Sequence, residues 1–327
     1  MSATVFVILV LALLLDRLVG DPAWLWQRVR HPVVVFGAAI DALDRRMNRD
    51  SLAGDVRRRN GVVAIVLLLA GAALAGCLLH GLFAAFGLVG FLLEVAVVAV
   101  LLAQKSLKDH VAAVADGLRR DGLAGGRRAV SMIVGRDPET LDEAGVVRAA
   151  IESLAENFAD GTVAPAFWYA VAGLPGIFAY KMLNTADSMI GHKSPKYRDF
   201  GWASARLDDL ANWPAARLSS LLIAAGAAIR QGGAAARRSL SVAFRDSGLH
   251  RSPNSGWPEA AMAGALDIRL AGPRIYGGQV VSEPMINGAG RAEAEAGDIG
   301  AAVGIFDAAC SSLAVLVLGL TVIAILL

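Results

Sequence analysis

The sequence predicts an all-α protein: a polytopic integral membrane helical protein with about four full spans, further re-entrant or broken helices, and amphipathic helices in the cytoplasm. Hydrophobic residues occupy 56% of the 327 positions and charged residues 18%, whereas soluble domains average about half and about a quarter. Residues 61–93 and 308–327 contain no Asp, Glu, Lys or Arg, and a helix of either length crosses about 30 Å of hydrocarbon. We therefore expect one membrane-embedded domain over residues 1–327.

The four full spans follow from the apolar runs. They are expected near residues 3–19, 61–80, 82–103 and 305–327. The first run lacks the basic segment and the cleavage site of a signal peptide, so it is expected to remain as a helix. The Arg-rich residues 16–60 should stay in the cytoplasm under the positive-inside rule.

Glu94 interrupts the predicted span 82–103. A carboxylate facing lipid is costly, so Glu94 is expected to face other helices. There it would form an interhelical hydrogen bond or line a polar cavity. Cys77 and Cys310 both lie in apolar runs. They are expected to pack as small hydrophobic residues rather than to form a disulfide or bind a metal.

Two further apolar runs, residues 161–180 and 215–230, are expected to be broken or re-entrant helices. The first contains Pro165 and the helix-breaking sequence Gly173-Leu-Pro175-Gly176. If the chain enters the membrane and returns there, every basic segment stays on the cytoplasmic side. Two complete crossings, with residues 181–217 outside, are the alternative. The extramembrane segments are then 20–60, 104–160, 181–214 and 231–304.

The densest polar block directly follows the uncharged residues 161–180. On a continuing helix, the i, i+3, i+4 spacing places several polar side chains on one stripe, with Asp187 beside it. The stripe consists of Lys181, Asn184, Thr185, Ser188 and His192. Ammonium, amide, hydroxyl and carboxylate groups this close together predict a site for a phosphate, a metal ion or both.

Three acidic residues repeat at every fourth position before that block: Glu152, Glu156 and Asp160. Carboxylates on one helix face can gather a hard divalent cation. A solvated acidic face is the alternative, and the spacing leaves it open. Asn157 lies on the adjoining stripe of the same helix.

Residues 252–259, Ser-Pro-Asn-Ser-Gly-Trp-Pro-Glu, lead into an apolar helix. Small polar residues followed by a proline start a helix whose free N–H groups point at the preceding loop. Such a turn binds anions, which makes Asn254 and Ser255 candidates for phosphate binding. Simple capping of the helix explains the pattern equally well.

Together these blocks resemble the integral-membrane cobinamide-phosphate synthase family (CobD/CbiB) of cobalamin biosynthesis, over essentially the whole chain. The matching motifs are Asp16 to Pro22 with His31-Pro32; Arg136-Asp137-Pro138 through Glu152 to Pro165; Lys181 to Lys193; Tyr197, Phe200-Gly201 and Arg206 to Asp209 with Asn212; and Ser252 to Leu266. His192 stands where many members have an aromatic residue, so no catalytic role is assigned to it. Pro214 departs by one position from the usual pattern, whereas Arg217 keeps its spacing from Asn212.

The resemblance implies a ligase that uses ATP and Mg²⁺. Its substrates would be adenosylcobyric acid and aminopropanol or aminopropanol phosphate, joined as an amide through an acyl phosphate. The chain has no Gly-x-x-x-x-Gly-Lys-Ser/Thr loop, so its ATP site would be unconventional.

Roles for individual residues follow from the resemblance and the polar blocks together. The catalytic candidates are Lys181, Asn184, Asp187 and Asn157. The substrate- and phosphate-binding candidates are Lys193, Arg206, Ser188, Asn254 and Ser255. The metal candidates are Glu152, Glu156, Asp160, Asp208 and Asp209. Trp202, Trp213 and Trp257 are expected either to wall a corrin cavity or to anchor the protein at the interface.

The expected partners are the two substrates and the lipid bilayer of the inner membrane, with the active site on the cytoplasmic side. Other membrane enzymes of cobalamin assembly, and further copies of this chain, are left open as partners. Nucleic acid is excluded, because the net charge is only +2 and no basic stripe with interleaved aromatic residues is present.

Other functions match parts of the sequence. A membrane transporter for a corrinoid is the first alternative, although no inverted repeat is evident. A CDP-alcohol transferase would require Arg where Pro165 stands, and the Asp208-Asp209 segment matches a prenyl transferase motif only in part. A non-catalytic membrane sensor or accessory relative of the family is the last alternative, and the retention of every motif argues against it.

Overall fold

The helical content follows the sequence prediction closely. The structure, a computed structural model, describes residues 3–135, 137–276, 279–281 and 283–327. Arg136, part of one family motif, lies outside the described residues. Helices account for 79% of the chain, which confirms the all-α class.

Twelve α-helices are present in the described residues. In chain order they are α1 (Ala3–Val19), α2 (Ala23–Trp26), α3 (Pro32–Met47), α4 (Gly54–Ala84), α5 (Gly87–Val100), α6 (Gln104–Val130), α7 (Glu143–Phe158), α8 (Ala164–Ile190), α9 (Trp202–Gln231), α10 (Gly233–Asp246), α11 (Gly256–Leu266) and α12 (Ala296–Leu326). Short 3₁₀ helices cover Pro138–Thr140 and Ser247–Leu249, and a π-helical turn covers Ala159–Val163.

Strands are confined to two small antiparallel pairs in the described part of the chain. Strand β1 (Leu270–Ala271) pairs with β4 (Met285–Ile286), with Leu270 opposite Ile286. Strand β2 (Arg274–Tyr276) pairs with β3 (Gln279–Val281).

Within the described ranges, four helical stretches are long and apolar enough to cross a membrane. They are Gly54–Ala84, Gly87–Val130, Glu143–Ile190 and Ala296–Leu326. Three overlap predicted spans. The fourth contains α7 and α8. Helix α1, which covers the predicted span 3–19, has 17 residues and extends about 25 Å, and its crossing of the membrane stays a prediction. The predicted broken helix near 215–230 is instead the second half of α9, which runs through Pro214.

The chain forms two compact units. The first unit contains Met1–Leu102, Ala164–Asn212 and Val317–Leu327; the second contains Ala103–Val163 and Trp213–Leu316. Both α9 and α12 contribute to each unit. The expectation of a single membrane-embedded domain stays a prediction.

In the first unit, α8 packs along α4 and α3, and α1 packs against α5. Glu94 of α5 is 5% exposed and joins these helices. Its Oε1 accepts a hydrogen bond of 2.8 Å from the Tyr169 hydroxyl, and its Oε2 lies 3.0 Å from Nδ1 of His80. Glu94 therefore faces other helices, as predicted, and its carboxylate is satisfied there.

Helix α8 reverses direction at Ala172 and Gly173, where Gly173 has a φ of 60°. A Cβ atom on Gly176 would clash with the carbonyl oxygen of Trp168, eight residues earlier. Eight residues of straight helix would separate these positions by about 12 Å, so the chain must fold back between them. The predicted break in residues 161–180 is thus present, and re-entry into a bilayer there stays a prediction.

We expect Gly176→Ala to destabilise the protein by about 1 to 3 kcal/mol, because the new methyl group must displace a backbone carbonyl. Gly71→Ala is the matched control, since a Cβ there meets nothing within 4 Å, and a mid-helix alanine is the better helix former by up to about 1 kcal/mol. Thermal unfolding of both variants in detergent, followed by tryptophan fluorescence, measures the difference. Equal midpoints for the two variants would contradict the tight turn.

A polar network holds the loop 191–201 against α3. Asp44, 6% exposed, accepts hydrogen bonds of 2.8 Å from Nζ of Lys196 and from Nδ2 of Asn48. Arg57 donates to Oδ1 of Asn48 and to the Lys196 carbonyl. The hydrogen bond from Asp44 raises the pKa of Lys196 above its usual value. This network fixes the loop that carries Lys193.

Asp44→Ala should release this loop and speed its cleavage by trypsin about tenfold, because roughly 1.4 kcal/mol of local stability is lost with the network. Limited proteolysis in detergent, with the fragments identified by mass spectrometry, measures the rate. Asp41→Ala, at an exposed position on the same helix, is the control. Equal cleavage rates for the two variants would show that Asp44 does not hold the loop.

In the second unit, α7 lies in the core and packs against α6 and α11, while α10 packs along α11. Val146, Val147, Ile151 and Leu154 are all fully buried. Because apolar residues cover most of α7, its acidic residues Glu152 and Glu156 have limited access to solvent and need partners within the unit.

Candidate functional site

The strongest polar site in the first unit lies where the second half of α8 faces the start of α9. Asp208 is 8% exposed, and its Oδ2 accepts a hydrogen bond of 2.9 Å from Nδ2 of Asn212. Oδ1 of Asn212 accepts one of 2.8 Å from the Tyr180 hydroxyl. Oδ1 of Asp208 is buried and has no hydrogen-bond partner among the described residues. One oxygen of this buried carboxylate therefore retains the capacity to accept a hydrogen bond.

Asp187 of α8 contributes to a raised pKa of Asp208. Burial, and after it the negative charge of Asp187, raise the pKa of Asp208 to about 7. The amides of Asn212 and Asn184 act in the opposite direction, and Asp209 adds a small rise. We call Asp187 and Asp208 the acidic pair. A buried carboxylate beside a second carboxylate is stabilised by a proton or a cation held with it.

Two basic residues lie near Asp209, the residue that follows Asp208. Burial raises the pKa of Asp209, and the positive charges of Arg206 and Lys193 lower it. Both Arg206 and Lys193 are exposed, so their charged ends remain accessible. Carboxylates beside exposed cations can bind a metal–phosphate complex, because the carboxylates bind the metal ion and the cations bind the phosphate oxygens.

The predicted stripe on α8 is only partly realised. Helix α8 ends at Ile190, so His192 lies beyond it. The Thr185 hydroxyl donates to the Lys181 carbonyl at 2.6 Å, and the Ser188 hydroxyl donates to the Asn184 carbonyl at 2.9 Å. These hydroxyl protons are used within the helix, and Ser188 Oγ remains only as an acceptor.

The predicted residues of the second unit have separate partners. Oε1 of Glu152 accepts a hydrogen bond of 2.7 Å from the backbone N–H of Ala271. Oε1 of Glu156 accepts one of 2.8 Å from the Ser255 hydroxyl. Nδ2 of Asn157 donates to the Ser153 carbonyl at 2.9 Å. The polar turn before α11 is thereby tied to α7.

Arg217 joins the same turn and was not among the predicted site residues. Its Nη1 donates to Oδ1 of Asn254 at 2.9 Å and to the Trp213 carbonyl at 3.1 Å. Its Cζ lies 4.6 Å from the Trp213 ring centroid and 4.9 Å from that of Trp257. Only the spacing of Arg217 from Asn212 in the family motif could have indicated from the sequence that Arg217 belongs to this site.

Comparison with known proteins identifies the family. The family model described as CobD/Cbib protein matches residues 9–306 of the chain. The chain belongs to the CobD/Cbib family. This confirms the resemblance inferred from the motifs.

Relatives in the CobD/Cbib family match over nearly the full length. A protein named Cobalamin biosynthesis protein CobD from Sinorhizobium sp is 69% identical over 323 residues, covering 99% of this chain and 100% of the relative. The protein of that name from Brucella suis is 55% identical over 317 residues, 97% of each chain. The one from Rhodobacter capsulatus is 49% identical over 280 residues, 86% of each chain. No solved structure matches.

The metal candidates of this CobD/Cbib protein do not form one cluster. No group of three or more His, Cys, Asp or Glu side chains placed to hold a metal ion is found in the described ranges. Glu152, Glu156 and Asp160 share a helix face in the sequence, but the first two carboxylates each accept a structural hydrogen bond. The acidic pair fits a metal better, because Mg²⁺ uses one or two carboxylates together with substrate phosphates.

A π-helical turn, Ala159–Val163, was not predicted. It follows Asn157 directly and contains Asp160 and Thr162, whose buried Oγ1 has no hydrogen-bond partner among the described residues. Single π turns inside α-helices often lie at functional sites. No residue pattern known to us distinguishes such a turn from regular helix, so the sequence carried no signal for it.

Proposed function

We propose that this CobD/Cbib protein is an amide synthase of cobalamin biosynthesis. It would join the propionate carboxylate of adenosylcobyric acid to the amine of aminopropanol or aminopropanol phosphate, with ATP and Mg²⁺. The observation that carries the proposal is the acidic pair, in which one oxygen of Asp208 has no hydrogen-bond partner among the described residues. The cations Lys193 and Arg206 lie beside the adjacent Asp209.

The proposed reaction needs carboxylates that bind a cation and basic groups that bind phosphate. A carboxylate is a poor acylating agent, and ATP with its divalent cation supplies the phosphoryl group that activates it. Asp187 and Asp208 would hold the cation, because their mutual repulsion is relieved when a positive charge lies between them. The raised pKa of Asp208 means that the pair would exchange a proton for the cation as the ligand binds.

Other residues would bind and orient the substrates. Lys181, Lys193 and Arg206 would contact phosphate oxygens, as charge-assisted donors. Asn184, on the same helix as Asp187, would hold the substrate carboxylate or its phosphate in position. In the second unit, Asn157 would serve in the same way, and Asn254 with Ser255 would receive an anionic group at the start of α11.

The site is proposed to open to the cytoplasm, in the inner membrane. Four helical stretches able to span a membrane and the basic segments between them support this orientation under the positive-inside rule. A nucleotide-dependent reaction also requires cytoplasmic access.

The test is direct reconstitution. Purified protein in detergent is incubated with adenosylcobyric acid, ATP, Mg²⁺ and either free or phosphorylated aminopropanol, and the products are followed by mass spectrometry. The expected result is an amide whose formation requires ATP and stops when the cation is chelated. Uptake of a corrinoid into proteoliposomes without any amide product would instead support a transporter, whose spans would contain the Glu94 and Tyr169 hydrogen bond.

A further inference from the structure

The arginine stack, which we define as Arg217 with Trp213 and Trp257, lies within the second unit. The guanidinium carbon is 4.6 Å from one indole centroid and 4.9 Å from the other. The Phe244 ring packs edge-on against Trp257, with 5.5 Å between centroids. Stacking on aromatic rings fixes the plane of a guanidinium, so less side-chain entropy is lost when it binds a ligand.

The hydrogen bonds of Arg217 leave one edge of its guanidinium available. A guanidinium has five N–H donors, and both contacts made by Arg217, to the Trp213 carbonyl and to Oδ1 of Asn254, come from Nη1. The Nε and Nη2 edge has no hydrogen-bond partner among the described residues. Nε–H and Nη2–H are parallel, which is the geometry that binds a carboxylate or phosphate through two hydrogen bonds.

The charge of Arg217 is also uncompensated within the described part of the chain. No Asp or Glu oxygen there forms an ion pair with it, although its side chain is half-buried. A partly desolvated cation without an acidic partner favours an anionic ligand.

We propose that Arg217 binds an oxyanion of a substrate and determines specificity for it, in a subsite formed with Trp213, Trp257 and Asn254. This inference rests on the proposed amide synthase function. The oxyanion has two sources among the substrates: the phosphate of a phosphorylated amine, or a carboxylate of the corrinoid. Trp213 is 57% exposed, so a ligand can approach the stack from outside the unit.

Steady-state kinetics with both amines test the subsite. Arg217→Ala should raise KM about 10- to 100-fold for the substrate that carries the oxyanion, with a smaller change in kcat. A rise only for phosphorylated aminopropanol identifies the phosphate, and a rise for the corrinoid with either amine identifies the carboxylate. Arg217→Lys should recover part of the loss, because it keeps the charge without the two-pronged edge.

Arg237→Gln, at an exposed arginine of α10 in the same unit, is the matched control and should leave KM unchanged. Unchanged KM values in Arg217→Ala, or an equal fall in kcat with both amines and no change in KM, would overturn the proposal. A binding measurement separates this outcome from a failure of the proposed function. Titration with inorganic phosphate or acetate should change the tryptophan fluorescence of the native protein, whether or not it makes an amide, and should not do so in Arg217→Ala.

Discussion

Asp187→Asn will lower the rate of amide formation roughly a hundredfold to a thousandfold, and the protein will remain folded in the membrane. Loss of one charged contact in a buried site typically costs about 2.7 to 4 kcal/mol of transition-state stabilisation. Asp187 is half of the acidic pair, so its neutralisation removes charge where a cation would bind. Lys181→Ala should have an effect of similar size, through loss of a phosphate contact.

The measurement is turnover of both purified variants with saturating substrates, beside thermal unfolding to show that each is folded. Asp41→Asn, at an exposed acid of α3 in the same unit, is the control and should retain native turnover. Near-normal conversion by Lys181→Ala would remove that residue from the phosphate site. Near-normal conversion by Asp187→Asn would remove the acidic pair from the chemistry.

As the pH rises from 5 to 8, the free energy of unfolding of the native protein will fall by about 2 to 3 kcal/mol relative to that of Asp208→Asn. The pKa of Asp208 is raised from 3.8 to about 7 in the folded protein. Between these values the unfolded chain ionises first, so the native protein loses stability with increasing pH until the folded carboxyl also ionises. An asparagine does not titrate and escapes this loss.

Comparing two pH values isolates the effect of charge. The buried amide of the asparagine introduces an unpartnered N–H at every pH, and that cost cancels in the difference. Thermal unfolding in detergent, without nucleotide or metal, gives the midpoints, and Asp41→Asn should follow the native protein at both pH values. Parallel changes in native protein and Asp208→Asn would show that Asp208 is an ordinary carboxylate. Higher stability together with lost turnover is expected of a residue retained for function.

The sequence by itself determined the features that depend on local composition. Uncharged runs predict spans, because a helix in hydrocarbon must be apolar on its lipid-facing side and satisfy its own backbone. The Gly173-Leu-Pro175-Gly176 sequence predicted the break in α8, because it supplies a residue that accepts a positive φ and a proline that interrupts helical hydrogen bonding. Glu94 was expected to face other helices because a carboxylate cannot be solvated by lipid.

Only the tertiary structure decided which polar groups meet. Spacing placed Glu152 and Glu156 on one face as metal ligands, yet each carboxylate accepts a hydrogen bond from a residue about 100 positions away. Asp208 became the stronger candidate because burial and Asp187 raise its pKa, and neither influence can be read from neighbouring residues. Arg217 and Trp257 are 40 positions apart in the chain and in contact only after folding. Helical periodicity reports which side chains share a surface, whereas desolvation and long-range contacts determine what those side chains can bind.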